Sequence, residues 1–176
     1  MERIKAYDIA ILAILTTLAL VLSLFDNMLS LLIPIPLPGF KIGVANLVTL
    51  FLVMYFSLPK ALCVVFLRCF ISSMYSGGVT VFLISLSGGI LSVLAMYFIK
   101  YVLKENVSQI GISIFGAACH NLGQVIMVIL LLMSPSYIFY LPILLIVSLV
   151  TGFVIGFVGL HTYPRIAKFT KLKLSK

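Results

Sequence analysis

Charged residues are scarce in this chain, and acidic ones are the scarcest. Only 9% of the 176 residues are charged, and four Asp and Glu stand against twelve Lys and Arg. A soluble domain has about a quarter of its residues charged, so this scarcity excludes an ordinary soluble fold. No two of the four carboxylates are placed as a pair in the sequence. They offer neither a catalytic carboxylate pair nor a DDxxD-type cluster that could hold magnesium for prenyl transfer.

Other patterns of catalytic or metal chemistry are missing as well. There is no P-loop and no HExxH, and the three cysteines (Cys63, Cys69 and Cys119) stand in apolar runs without CxxC spacing. His120 has no acidic residue predicted at its depth to orient it. We therefore expect buried free thiols, no catalytic residue, no metal site and no cofactor, and we predict that the chain is not an enzyme.

Long apolar runs take the place of charge. The chain is 63% hydrophobic, with a mean hydropathy of +1.30. The runs are continuously apolar rather than alternating, which favours spanning helices over a β-barrel. We predict an all-α integral membrane bundle, a single domain over residues 1–164 with a basic cytoplasmic tail over 165–176. Its six spans are predicted at 7–25, 41–57, 60–75, 79–99, 108–133 and 139–162. The first run is longer than the core of a signal peptide and is predicted to be a retained span.

The positive charges predict how the bundle is oriented. If the spans alternate in direction, ten of the twelve basic residues fall on one side, and only Lys41 and Arg68 do not. Basic residues favour the cytoplasmic side, so both termini are predicted to be cytoplasmic and the Pro-rich loop after span one to lie outside. The net charge of +8 shows no basic face interleaved with aromatics, so we expect lipid headgroups rather than nucleic acid as its partner.

Polar residues inside the predicted spans are the candidate functional residues, because burying them in lipid is costly without a partner, a cavity or a ligand. In the alternating topology they share the outer half of the bundle. This placement predicts a polar pocket open to the outside. With two fixed cations and several amide groups, the pocket would suit an anionic or strongly polar ligand. The residues are Lys41, Asn46, Arg68, His120, Asn121 and Gln124.

Each of these residues also has a structural alternative. Lys41 could extend its ammonium group to the lipid headgroups. Arg68 could pair with Asp26, which is predicted to end span one at the outer surface, or with backbone carbonyls. The HNxxQ segment at 120–124 could form hydrogen bonds between helices.

Small residues predict where helices approach closely. Ala6, Ala10, Ala13 and Thr17 form a stripe along span one, which would admit a helix of a partner protein. The segments SLSGG (85–89) and TGFVIGFVG (151–159) predict close packing within the bundle.

The segments PGFKIGVANLVTL (38–50), GISIFGAACHNLGQ (111–124) and TGFVIG (151–156) resemble the bacterial Gx-transporter family. YSGG after Arg68, SLSGGILSVLAM (85–96) and YLPILL (140–145) extend the resemblance over nearly the whole chain. Members of this family are also described as heptaprenyl diphosphate synthase component I. The family is similar to the substrate-binding S-components of energy-coupling-factor (ECF) transporters in the bacterial cytoplasmic membrane.

The resemblance implies six spans and a vitamin-like solute bound near the outer face, beneath the loop that follows span one. It also implies docking to a shared transmembrane coupling subunit, energised by ATPase subunits, through an alanine-rich face of span one that here contains Ala6 and Ala10. By this analogy the solute site is lined or covered by Pro38, Gly39, Lys41, Asn46, Arg68, Asn121 and Gln124.

Three functions therefore follow as expectations. The first is an S-component-like, solute-binding subunit of an ECF-type importer. The second is a non-catalytic membrane subunit that handles isoprenoid diphosphates or quinone-type lipids in a prenyl-synthase or electron-transfer assembly. The third is a structural assembly subunit with no ligand in its pocket.

Overall fold

The computed structural model describes residues 6–30, 41–103 and 106–169, and it contains no β-strand within these ranges. Its elements in chain order are α1 (Ala6–Ser30), α2 (Asn46–Tyr55), α3 (Leu58–Ser76), α4 (Gly78–Leu103), α5 (Gln109–Leu132), a 3-10 helix (Pro135–Tyr140) and α6 (Leu141–Phe169). The prediction of an all-helical bundle is confirmed for these ranges.

Five of the six α-helices are long and apolar enough to cross a membrane: α1, α3, α4, α5 and α6. The exception is α2. It has ten residues, which at 1.5 Å each give about 15 Å, half of the roughly 30 Å hydrocarbon core of a bilayer. The predicted second span, 41–57, is therefore helical over only part of its length.

The late start of α2 has a local cause at Gly43. Its φ of 97° lies in the left-handed region, which favours glycine and interrupts a right-handed helix. The Gly43 carbonyl then accepts a hydrogen bond from the Asn46 N–H at 2.9 Å, which begins the first turn of α2. Lys41 thus lies in a non-helical segment instead of opening a span.

Two helices run further than predicted. Helix α1 continues beyond residue 25 to Ser30, so Asp26 lies inside the helix and is buried. The expectation that Asp26 ends the span at the outer surface is wrong. Helix α6 continues through Pro164 to Phe169, so the segment predicted as a tail from residue 165 begins as helix.

The short helix α2 lies in the core, with seven of its ten residues buried. Lys100, on α4, donates hydrogen bonds to the carbonyls of Val53 at 2.8 Å and Met54 at 3.3 Å. These carbonyls lie in the last turn of α2, where no further helical N–H can reach them. A cation from a neighbouring helix therefore satisfies a helix end that the apolar core would leave without a donor.

Glycines bring α4, α5 and α6 into close contact. A Cβ added at Gly123 would lie 2.8 Å from the Ser87 carbonyl oxygen, and one at Gly152 would lie 2.6 Å from the Ile114 Cα. Neither position has room for a side chain without movement of a neighbouring backbone. The close packing predicted for the segments 85–89 and 151–159 is confirmed, and α5 lies between α4 and α6.

The two ends of the bundle differ in their polar contacts. At the end that we call the Lys60 end, Lys60 pairs with Asp8 at 3.0 Å, close to the end of α2 that Lys100 contacts. At the opposite end, the Ser76 end, Asn27 donates a hydrogen bond to the Ser76 hydroxyl at 2.6 Å. Basic residues from two predicted cytoplasmic connections thus meet at one end, and the orientation of that end toward the cytoplasm stays a prediction.

Candidate functional site

A small polar cavity lies among the helices, toward the Ser76 end. Its volume, measured as the space open to the centres of water molecules, is about 10 Å³, which is room for about one water. Helix α1, the segment before α2, and helices α3, α4 and α5 all contribute to its wall. The lining residues are Ser23, Asp26, Lys41, Arg68, Cys69, Ser72, Ser85 and His120.

The carboxylate in the cavity wall is that of Asp26, and it accepts hydrogen bonds from the backbone of the segment before α2. The Gly43 N–H donates to both carboxylate oxygens, at 2.9 and 3.0 Å. This contact joins α1 to the segment that carries Lys41, and it compensates the burial of a charge that is only 1% exposed. The carboxylate thus has a partner other than a cation.

Lys41 and Arg68 bring two cations into the cavity wall, and they are 6% and 5% exposed. Lys41 Nζ donates to the Ser72 hydroxyl at 3.2 Å, so this side chain is buried and does not extend to lipid headgroups as the alternative proposed. Within the described ranges, the one ion pair closer than 4 Å is Lys60–Asp8. Arg68 therefore has no direct carboxylate contact there, and its Nε has no hydrogen-bond partner.

His120 and Gln124 lie one turn apart on α5 and hold each other. Gln124 Nε2 lies 3.0 Å from His120 Nε2, and because an amide NH₂ can only donate, the ring nitrogen accepts. The hydrogen of the neutral ring is then on Nδ1, which has no partner among the described residues. Gln124 Oε1 faces the Lys41 N–H at 3.5 Å, a long contact across to the segment before α2. Gln124 thus supports the wall without lining the cavity.

The two asparagines lie next to the cavity rather than in its wall. Asn121 donates to the Leu144 carbonyl at 2.8 Å, which is the interhelical hydrogen bond of the structural alternative. Asn46 is 1% exposed, and neither polar atom of its side chain has a partner in the described ranges. A Cβ built on Gly43 would lie 3.0 Å from Asn46 Nδ2 and 3.6 Å from His120 Cδ2, so Asn46 and His120 flank the same turn.

The remaining predicted residues are only partly described. Pro38 and Gly39 lie outside the described residues, and so does the side chain of Ala6. On α1, Ala10, Ala13 and Thr17 are exposed along one side of the helix, which leaves the predicted partner face uncovered in the single chain.

Four lining residues were not predicted as site residues: Ser23, Cys69, Ser72 and Ser85. A serine or cysteine in an apolar run is common in any helix, so composition alone does not single it out. Ser72 could have been found, since it follows Arg68 by four residues and so shares its helix face. Of the cysteines, all three are free thiols; Cys69 is buried as predicted, Cys119 is half-buried, and Cys63 is exposed, against the prediction.

The arrangement is suited to binding an anion. Two buried cations and two further groups that can donate a hydrogen bond, His120 Nδ1 and the Ser85 hydroxyl, meet one carboxylate whose oxygens already accept from Gly43. Such charge-assisted donors in a water-poor site hold an anionic group strongly.

Comparison with protein families gives one match. The profile of the family described as heptaprenyl diphosphate synthase component I, the description also given to the Gx-transporter family, matches residues 15–162. Because this match covers most of the chain, the protein belongs to that family. Comparisons with curated proteins and with solved structures give no match.

Proposed function

Because the chain belongs to this family and encloses a cationic cavity, we propose that it is the solute-binding membrane subunit of an ECF-type importer. In this role it resembles an S-component. It would take a small polar or anionic, vitamin-like solute and work with a transmembrane coupling subunit and ATPase subunits. The proposed role is non-enzymatic.

The observation that carries this proposal is the charge of the cavity. Lys41 and Arg68 are buried, while the carboxylate of Asp26 accepts its hydrogen bonds from Gly43. Burying a cation without a charged partner lowers the free energy of unfolding by several kcal/mol. Proteins keep such residues mainly where the charge serves a function. An anionic group on a solute would supply that partner.

A vitamin-sized solute requires the cavity walls to move apart. Ligand sites for such molecules measure roughly 300 Å³ or more, against about 10 Å³ here. The polar contacts that tie the segment before α2 to its neighbours in the described ranges include those of Asp26 with Gly43, Ser72 with Lys41, and the long Gln124 contact. Movement of that segment away from α3 and α5 would enlarge the cavity, and we propose that it accompanies solute entry.

The uncovered side of α1 supports the proposed assembly. Ala10, Ala13 and Thr17 lie exposed on a helix whose other side packs chiefly on α3. Small side chains let a partner helix approach closely in lipid. Phe at positions 10 and 13 should therefore reduce capture of the coupling subunit by at least about tenfold, a ~1.4 kcal/mol effect of overpacking, and should leave solute binding unchanged.

The matched control for this test is Leu18→Phe, which enlarges an exposed α1 side chain to one side of the stripe. Capture of the coupling subunit should survive that change. If Ala10→Phe/Ala13→Phe assembles as well as the wild type, the stripe is not the docking face.

The test of the binding role is mass spectrometry of small molecules released from the gently purified protein. The wild type and Lys60→Gln, which removes a cation outside the cavity, should release the same water-soluble compound. Arg68→Gln should release little of it while still yielding folded protein. Equal amounts from Arg68→Gln would remove Arg68 from the site.

The family description favours a second candidate, a non-catalytic membrane subunit that handles an isoprenoid diphosphate. The cationic cavity is compatible with it, since a diphosphate is anionic. This candidate predicts a prenyl lipid in the same extraction, depleted in Arg68→Gln. Nothing specific from any of the three proteins would favour a structural assembly subunit.

A further inference from the structure

The cavity has an unbalanced charge that needs a counterion even when no organic solute is bound. With His120 and the Cys69 thiol neutral, the charged side chains in its wall are the basic Lys41 and Arg68 and the acidic Asp26, which leaves one positive charge in excess. These charges lie close enough to interact with one another. Other described carboxylates are too far away to contribute, since Asp8 lies at the Lys60 end.

The groups in the wall that lack a partner among the described residues are all able to donate a hydrogen bond. They are Arg68 Nε, His120 Nδ1 and the Ser85 hydroxyl, on three different helices. Their side chains are 5%, 3% and 4% exposed. The one carboxylate in the wall, that of Asp26, already accepts from the Gly43 N–H through both of its oxygens. Two cations and unpaired donors beside a single carboxylate favour an anion over a cation in this cavity.

The volume of the cavity limits which anions it can hold. The cavity has room for about one water. A carboxylate, phosphate or sulfate has several heavy atoms and does not fit this volume without movement of the walls. A halide is a single atom of nearly water size, and one halide supplies the one negative charge that the wall lacks.

We propose that the cavity binds a single halide ion, chloride under ordinary conditions, next to the side chains of Lys41 and Arg68, which it neutralises, with His120 and Ser85 in the same wall. The site is a property of the single chain. It does not depend on the proposed transport role, so it can fail while solute binding stands, or stand while solute binding fails.

The first test measures thermal unfolding of the full-length protein in detergent, with chloride titrated against gluconate at constant sodium and ionic strength. The chain has eight tyrosines and no tryptophan, so tyrosine emission reports the transition. Gluconate is too large for a cavity of this volume. Chloride should therefore raise the unfolding midpoint by about 3 °C or more and then saturate, as a ligand of the native state does.

Lys60→Gln is the matched control, since it removes a cation outside the cavity, and it should keep the chloride dependence. Arg68→Gln should lose it. Equal midpoints in chloride and gluconate for the wild type would overturn the proposal; this is the result expected if Lys41 is uncharged and the wall is already neutral. Dependence that persists in Arg68→Gln would also overturn it, because chloride would then act elsewhere.

A second measurement uses the wild type alone and so does not depend on whether Arg68→Gln folds. Crystals grown with bromide in place of chloride should show an anomalous-scattering peak in the cavity, next to the side chains of Lys41 and Arg68. Bromide peaks confined to the protein surface, or no peak at all, would overturn the assignment.

Discussion

The cations at the Lys60 end and the cations in the cavity are all at least partly removed from water, but they differ in the protein groups that stabilise their charge. At the Lys60 end, Lys60 has the Asp8 carboxylate and Lys100 has the Val53 and Met54 carbonyls. In the cavity, Lys41 has one neutral hydroxyl and Arg68 Nε has no partner in the described part of the chain. Lys60 and Lys100 therefore both have acceptors within the protein. The cavity pair has no carboxylate contact within 4 Å in the described ranges, although it is the more deeply buried.

This difference teaches that burial alone does not identify a functional cation. Lys100 donates its hydrogen bonds to backbone carbonyls of α2. Arg68 Nε has no such acceptor among the described residues, and the Asp26 carboxylate in the same cavity wall accepts from the Gly43 N–H instead. Four substitutions sharpen or break this comparison.

Arg68→Gln should have the largest effect, and it should separate binding from stability. Loss of a buried charge partner costs a bound anion about 2–5 kcal/mol, so affinity for the extracted solute should fall by about 30-fold or more. The unfolding midpoint in gluconate should stay the same or rise, because removal of Arg68 also relieves its repulsion of Lys41. Titration calorimetry and thermal unfolding measure the two quantities. A large loss of stability with unchanged affinity would make Arg68 a structural residue like Lys100.

Asp26→Asn should lower the free energy of unfolding by about 2 kcal/mol. The neutral amide offers one acceptor to Gly43 in place of two charged oxygens, and it leaves both cations uncompensated. Denaturant unfolding measures the loss. Asp8→Asn is the control, since its pair with Lys60 is about a quarter exposed and its loss should cost less than about 1 kcal/mol. Equal losses in the two variants would break the distinction between the two sites.

Lys100→Met should cost about 1 kcal/mol of stability, because the Val53 and Met54 carbonyls lose a charged donor at the end of α2. Solute affinity and chloride dependence should not change. The exposed Lys168, near the end of α6, gives the control Lys168→Met, which should leave the unfolding midpoint where it was. Loss of solute binding in Lys100→Met would mean that this end of the bundle also serves the site.

Lys60→Gln should have the smallest effect. Side chains that are 23% and 26% exposed are partly screened by solvent, so the pair contributes less than about 1 kcal/mol. That small contribution should shrink further as salt rises from 50 to 500 mM sodium gluconate. A loss that is large or independent of salt would show that Lys60 and Asp8 are as important to the fold as Asp26 and Gly43.

Some of the residues in the cavity wall could be predicted from the sequence, and others could not. Lys41, Arg68 and His120 were predicted from their cost in an apolar segment, and the structure brings all three to one cavity. Asn121 was predicted with them, yet it contacts the Leu144 carbonyl on α6 instead. The difference depends on which neighbouring helix each side chain faces, and hydropathy along the chain does not contain that information.

The sequence by itself determined the class of this protein, its family, five of its six predicted spans and the rare polar residues within them. These follow from local composition, because each stretch of about 20 apolar residues meets the bilayer independently of the others. Only the tertiary structure decided that Asp26 binds the Gly43 N–H, that α2 is short and buried, and that two cations share a water-sized cavity. Those features arise from distances between helices and from the left-handed turn at Gly43, and hydrogen bonds and charges act over a few ångströms in space, however far apart their residues lie in the chain.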